Sequence, residues 1–203
     1  MKNGKTVIKK SLKLTEKFQK ERFLPKNFYI TLPSEAQWEK TVKGGKKFFK
    51  IPIYASINNL RKCYKSIISN KKEINWIKNK NTNRIYPWGN THNENLANCK
   101  HSKISATSTV GCFPKGASPY GCEELCGNVS EWTLSIYKDY PYESNDGRED
   151  LETIERNTTI AIRGGHFNDT SIQYCTSRQG YEPDSEGTDL GFRVLVSMVN
   201  RNN

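Results

Sequence analysis

The chain runs to 203 residues with 34% apolar side chains and four tryptophans, enough for a single domain (1–203) with a packed core and cramped for two. It holds no run of about eighteen apolar residues of the kind that crosses a membrane, and its basic start, MKNGKTVIKKSLKLTEKF, lacks the continuous apolar stretch of a secretory leader, so the cytoplasm is the expected compartment. Net charge is +11 and unevenly spread: residues 1–103 carry 24 Lys/Arg against 6 Asp/Glu, and the remainder carries 8 against 15.

From Ser11 to Arg22, the residues Leu12, Leu14 and Phe18 among Lys and Glu predict one amphipathic helix, ended ahead of Pro25. In Thr31 to Lys40, TLPSEAQWEK, Ser34 can cap a second helix with Gln37 at the capping-box position. That helix should carry Trp38 into the core and stop near Gly44-Gly45. Residues 43–84 then hold 12 basic residues and 1 acidic, with enough apolar side chains, Ile51 to Ile77, for two short helices. A Lys-rich insertion of this length is either functional, as a surface for an anionic partner or nucleic acid through counterion release, or a solvated excursion. None of the usual nucleic-acid modules is present. Tyr86 to Asn90, YPWGN, makes a tight aromatic turn.

Six cysteines, at 63, 99, 112, 122, 126 and 175, are expected as free thiols in a chain of this size without a leader. A zinc site can be drawn from Cys99, His101, Cys112, Cys122 and Cys126, but the spacing fits none of the paired-ligand patterns. Free Cys otherwise packs as a small hydrophobe. The acidic stretch between Asp139 and Thr159 reads as a surface loop.

The chemistry concentrates in three later pieces. In Tyr120 to Trp132, YGCEELCGNVSEW, the turn pair Gly127-Asn128 leads into a carboxylate, Glu131, set between Val129 and Trp132. A charge buried there must be paired, hydrogen-bonded or metal-bound. Arg163-Gly164-Gly165 and Leu190-Gly191-Phe192-Arg193 follow. Together with LPSEAQWE (Leu32 to Glu39) and YPWGN, these motifs resemble, in order, those of the formylglycine-generating enzyme family, the sulfatase-modifying factors, from Leu32 to Arg193. The resemblance implies an irregular, loop-rich α+β fold of the C-type-lectin-like kind. In that family a β-rich portion precedes the helix ahead of LPSEAQWE. Here the sequence starts almost at that helix, so the expectation is that a partner chain supplies the portion, that the start is internal, or that this is a reduced variant.

The resemblance also implies metals. For calcium, Asn98 stands at one ligand position and Asn128 with Glu131, the Val129 carbonyl nearby, at a second; two amides and one carboxylate are few for a cation that takes six to eight oxygens. Direct hydrogen bonding between the same loops is the alternative. In the family's oxidases two cysteines after RGG hold Cu(I), a soft ion suited to paired thiolates. Here His166-Phe167 follow the glycines, Asn168 or Asp169 stands where the first cysteine belongs, and Cys175 matches the second. His166 falls too early to replace the missing thiol.

The resulting expectation is a catalytically degenerate domain that binds a protein or peptide through His166, Asn168, Tyr174, Tyr181 and Asp184, Tyr and Asn supplying contact area and adaptable hydrogen bonds. The alternatives are a copper-dependent oxidase with Cys175 as its catalytic thiol, acting on a sulfatase cysteine, and an anionic-partner protein working through residues 43–84.

Overall fold

The computed structural model describes residues 4–21, 24, 26, 28–49, 76–143, 145–150, 157–170 and 173–197. Two helices, α1 (Gly4–Lys20) and α2 (Glu35–Lys43), are set among eight short strands: β1 (Tyr29–Thr31), β2 (Lys47–Phe49), β3 (Trp76–Lys78), β4 (Ser130–Ile136), β5 (Ile160–Arg163), β6 (Arg178–Tyr181), β7 (Leu190–Phe192) and β8 (Leu195–Ser197). The main sheet has the order β6-β5-β4-β7. Within it β4 pairs antiparallel with β5 and β5 with β6, while β7 joins the other side of β4 in parallel. Two antiparallel ribbons, β1-β8 and β2-β3, complete the described strands. This is the irregular α+β architecture the motifs imply.

Both arms of the expected capping box form at α2: the Ser34 hydroxyl accepts from the Gln37 N–H, and the Gln37 side chain accepts from the Ser34 N–H at 2.9 Å. Gly44 closes the helix in the left-handed region, φ 87°, donating its N–H to the Lys40 carbonyl. A residue with a Cβ pays a penalty there, which is why glycine ends so many helices. The face that α2 buries is Glu35, Trp38 and Val42.

Helix α1 begins earlier than the spacing of Leu12, Leu14 and Phe18 predicts. Val7 is the reason: it is buried with Leu32, Trp132, Ile160 and Ile162, so the first turns have a core to pack on. Leu14 instead remains exposed. Thr15 fastens the helix to β1, its hydroxyl accepting from the Ile30 N–H at 2.8 Å and donating to the Ile30 carbonyl. Phe18 closes the far end over Leu24, Phe28 and Ile30.

The two helices expected across 43–84 fall mostly on residues 50–75, outside the described residues. At its described ends the stretch returns on itself, because Lys47, Phe48 and Phe49 pair with Lys78, Ile77 and Trp76. The Asn79 side chain then ties that ribbon to the end of α2 by donating to the carbonyls of Lys43 and Gly45.

Candidate functional site

The main sheet meets α2 through charge as well as apolar packing. Glu35, in the first turn of α2, is almost fully buried, and its two oxygens accept from Arg178 Nε (2.6 Å) and Nη2 (2.7 Å), with Arg163 Nη1 at 3.4 Å. Arg163 reaches Glu39 as well, at 2.9 Å, and donates to the carbonyls of Cys175 and Thr176. One turn on, Trp38 lies against the Arg163 guanidinium, 5.0 Å from ring centroid to Cζ, and gives its indole N–H to Glu131 at 2.8 Å. Glu131, 4% exposed, is held on its other side by Arg193, whose Nε and Nη2 each sit 2.6 Å from a carboxylate oxygen. Burial works against the Arg193 charge, yet the facing carboxylate of Glu131 lifts its guanidinium above the ordinary value. Cross-strand register explains the grouping, since Glu131 lies directly opposite Arg163 and their side chains share a face.

Where β5 runs out into Gly164-Gly165, the chain leaves a cleft of about 210 Å³ lined by Ser130, Arg163, His166, Asp169, Gln173, Ser177 and Arg178 among others. Gly165 sits at φ 70°, and a side chain on it would overlap Gln173 and the Asp169 carboxylate. Glycine is what lets those two fold in. The loop is then locked by Asp169, whose Oδ2 accepts from the His166 N–H at 2.8 Å. The imidazole is fixed in turn: Nδ1 accepts from the Asn168 N–H at 3.2 Å, and Nε2 faces Asp169 Oδ1 at 3.3 Å and Asp189 Oδ2 at 3.7 Å.

Of the five residues expected to bind, His166 lines this cleft. Asn168 is exposed beside it and contributes a backbone N–H to the imidazole. Tyr174, 55% exposed, stands edge-on to Tyr86 in an aromatic group with Trp88 and His92. Tyr181 ends β6, opposite Ile160, and Asp184 lies in the loop that follows. Tyr174, Tyr181 and Asp184 are not among the residues lining the cleft with His166.

The placement of Cys175 weighs against the alternative in which it is a catalytic thiol. It is 2% exposed and packs with Trp38, Val42 and Leu125. Burial pushes its thiol up to about 12 against the partial opposition of Lys43, Arg84 and Arg163. A thiol so placed stays protonated, whereas the nucleophile and the copper ligand are thiolates. Cys126 is likewise buried and pushed well above its ordinary value, its thiol donating to the Gln173 carbonyl. Of the two residues that the resemblance puts at the first-cysteine position, Asn168 is exposed and offers no thiol, and Asp169 offers a hard carboxylate already engaged by His166; both imidazole nitrogens of His166 are in use. These residues do not fit a Cu(I) site.

The oxygens expected to hold calcium are also committed. Asn128 Oδ1 accepts from the Ser108 N–H and from Asn98 Nδ2, while Asn98 Oδ1 accepts from Ser102. Glu131 serves Arg193 and Trp38. The sequence reading overlooked Glu124, a buried carboxylate whose two oxygens find no hydrogen-bond partner at full geometry among the described residues, the backbone N–H groups of Gly111 and Phe113 lying near enough only to offset part of its burial. Burial raises its pKa. One free carboxylate does not make the six to eight oxygens calcium takes, so the donor set does not fit that ion either.

A main sheet flanked by short ribbons and ordered loops, with a glycine-pair cleft at the end of its central strands, defines a C-type-lectin-like domain. The sulfatase-modifying factor enzyme 1-like domain matches residues 9–198, and the chain belongs to that family. It is 31% identical over 124 residues to mouse inactive C-alpha-formylglycine-generating enzyme 2, covering 56% of this chain and 37% of the relative. With mouse formylglycine-generating enzyme it shares 24% identity over 179 residues, 81% of this chain and 38% of that protein. The chain thus spans less than two fifths of either relative, one of which carries the name of an enzyme and the other of an inactive protein. Among solved structures it is similar to PvdO from Pseudomonas aeruginosa, with a TM-score of 0.58 at 19% identity, covering 96% of this chain and 59% of that one.

Proposed function

We propose that this chain is a binding member of the family that does not carry out copper-dependent oxidation. One observation carries the reading: Cys175, the candidate thiol that the family resemblance leaves once Asn168 or Asp169 stands at the first-cysteine position, is packed into the core with its pKa pushed up to about 12. The same fold can shed one chemistry and keep its cleft, because function resides in the side chains grafted onto it. The ligand is taken up at the cleft below Gly164-Gly165, from a protein, a peptide or a small molecule. Free thiols packed as hydrophobes, Cys99, Cys126 and Cys175, suit a reducing compartment such as the cytoplasm.

Competitive titration of the purified protein with Cu(I) against a thiol-strength chelator tests this. The expected result is no tight one-to-one uptake that depends on Cys175. Tight uptake abolished by Cys175→Ser would overturn the reading in favour of the oxidase.

A further inference from the structure

The β2-β3 ribbon, remote in sequence from the Gly164-Gly165 cleft, sets like charges against each other. In its antiparallel register Lys47 lies opposite Lys78, Phe48 opposite Ile77 and Phe49 opposite Trp76. Side chains alternate between the two faces of a strand and directly opposed residues share a face, so Lys47, Lys78 and Trp76 stand on one face and Phe48 and Ile77 on the other. Like charges directly opposed destabilise a ribbon. No neighbouring carboxylate relieves this pair: residues 40–49 and 76–84 hold seven Lys or Arg and no Asp or Glu. Glu39, the carboxylate just ahead of them, is already bonded to Lys43 and Arg163. An anion arriving from outside and seated over both ammoniums removes the repulsion.

A second, independent feature is Trp76. Trp38 and Trp132 are each 1% exposed in the core, whereas Trp76 is 53% exposed on the face it shares with the two ammoniums. That face is held at its base. The Asn79 N–H donates to the Lys46 carbonyl at 2.9 Å, the Asn79 side chain donates to the carbonyls of Lys43 and Gly45, and the Tyr120 hydroxyl donates to the Lys47 carbonyl at 3.1 Å. Opposed residues in such a ribbon stand about 5 Å apart at Cβ, and a residue two positions along the strand follows at about 7 Å. A pair of cations and an indole therefore sit side by side on a fixed platform.

We propose that this face of the ribbon binds single-stranded nucleic acid, with backbone phosphate over Lys47 and Lys78 and an unpaired base stacked on the Trp76 indole. Lysines that track a phosphate backbone beside an aromatic ring that takes a base are the arrangement by which single strands are held without regard to sequence. A duplex offers the phosphates but keeps its base faces stacked, so it satisfies the lysines and not the indole. An anionic membrane would draw in a face on which the apolar side chains gather. Here Ile77 lies on the opposite face from Trp76, and the lysines share the face of the indole. The inference goes beyond the cleft reading and stands apart from it: the copper titration and the ribbon can each fail alone.

The test is fluorescence anisotropy of a labelled oligothymidylate of about 15 nucleotides, within the span one such binding surface covers, titrated with the full chain over a series of salt concentrations. We expect saturable binding that weakens with salt and is tighter than binding to a duplex of the same length. Lys47→Gln and Lys78→Gln should each flatten the plot of log K against log salt by about 0.7, the contribution of one phosphate on a single strand. Trp76→Ala should weaken binding about ten-fold, the effect of one base–aromatic stack, and Trp76→Phe should keep part of it. The Tm of Lys78→Gln should match or exceed that of wild type, because the like-charge pair is gone, which separates lost binding from lost folding. Equal affinity for the duplex, a Trp76→Ala variant that binds like wild type, or a salt slope unmoved by either lysine substitution would overturn the proposal. So would tighter binding to phosphatidylserine–phosphatidylcholine vesicles than to the oligonucleotide, which would assign the ribbon to a membrane surface.

Discussion

Replacing Glu131 by alanine removes the acceptor for three hydrogen bonds at once, one from Trp38 and two from Arg193. The two donors are not stranded equally. Trp38 is 1% exposed, so its indole N–H loses its partner with no water to replace it, at a cost of about 1–3 kcal/mol. Arg193 keeps the carbonyls of Glu123 and Glu124, and its side chain is 26% exposed, so solvent screens part of its loss. Breaking a fully buried ion pair costs about 3–5 kcal/mol, and the screened case falls below that range. We therefore expect a total near 3 kcal/mol, or roughly 6–12 °C in Tm at this chain length. Calorimetry of wild type and Glu131→Ala at pH 7 measures it, and Trp38→Phe combined with Glu131→Ala should recover part of the loss because no indole donor is then left bare. A shift below about 2 °C would refute the argument that Glu131 is the common anchor of α2 and β4. Millimolar calcium should move wild type and variant alike; an increment seen in wild type and absent from Glu131→Ala would show a metal site at this carboxylate.

The other predictions concern backbone and pH. Gly127 and Gly147 share a left-handed φ of 79° and 78°, but a Cβ at 127 would run into the Asn98 carbonyl oxygen while one at 147 meets nothing within 4 Å. Urea unfolding should show Gly147→Ala losing about 1–2 kcal/mol from φ strain and Gly127→Ala losing about twice that or more; equal losses would mean that the Asn98 loop yields freely. For Glu124, burial raises the folded-state pKa, so the carboxylate destabilises the fold above that pKa, and the penalty disappears as pH falls to the unfolded value near about 4.3. Glu124→Gln should thus raise Tm at pH 8 and converge with wild type near pH 4, whereas a lower Tm at pH 8 would mean that the charge is compensated in the fold.

What could be read directly from the sequence was whatever local spacing carries. Ser34 and Gln37 lie three residues apart, so the capping box was visible, and Gly44 marked the helix end before any tertiary contact was known. Glu35 could not be read in this way. A glutamate in the first turn of a helix ordinarily sits in solvent and complements the helix dipole, and the arginines that draw it inside, Arg163 and Arg178, lie on β5 and β6. Asp189 was invisible for a similar reason, because it belongs to the entry into β7 and reaches His166 only after β7 has paired with β4.

The position of Cys175 shows a different limit of reading by spacing. Counting residues from Arg163-Gly164-Gly165 assumes that a loop keeps its length relative to the site, but this loop is fixed at its ends. At one end Gly164 accepts from the Gly127 N–H and Phe167 donates to the Asn128 carbonyl; at the other the Cys175 N–H donates to the Ile85 carbonyl and the Cys175 carbonyl accepts from Arg163. Those three backbone hydrogen bonds and the Arg163 contact need no particular side chain at positions 166, 168 or 169. The fold can therefore exchange thiols for an imidazole and carboxylates at the cleft without disturbing its core, and the chemistry of the site must be read from the side chains between the anchors.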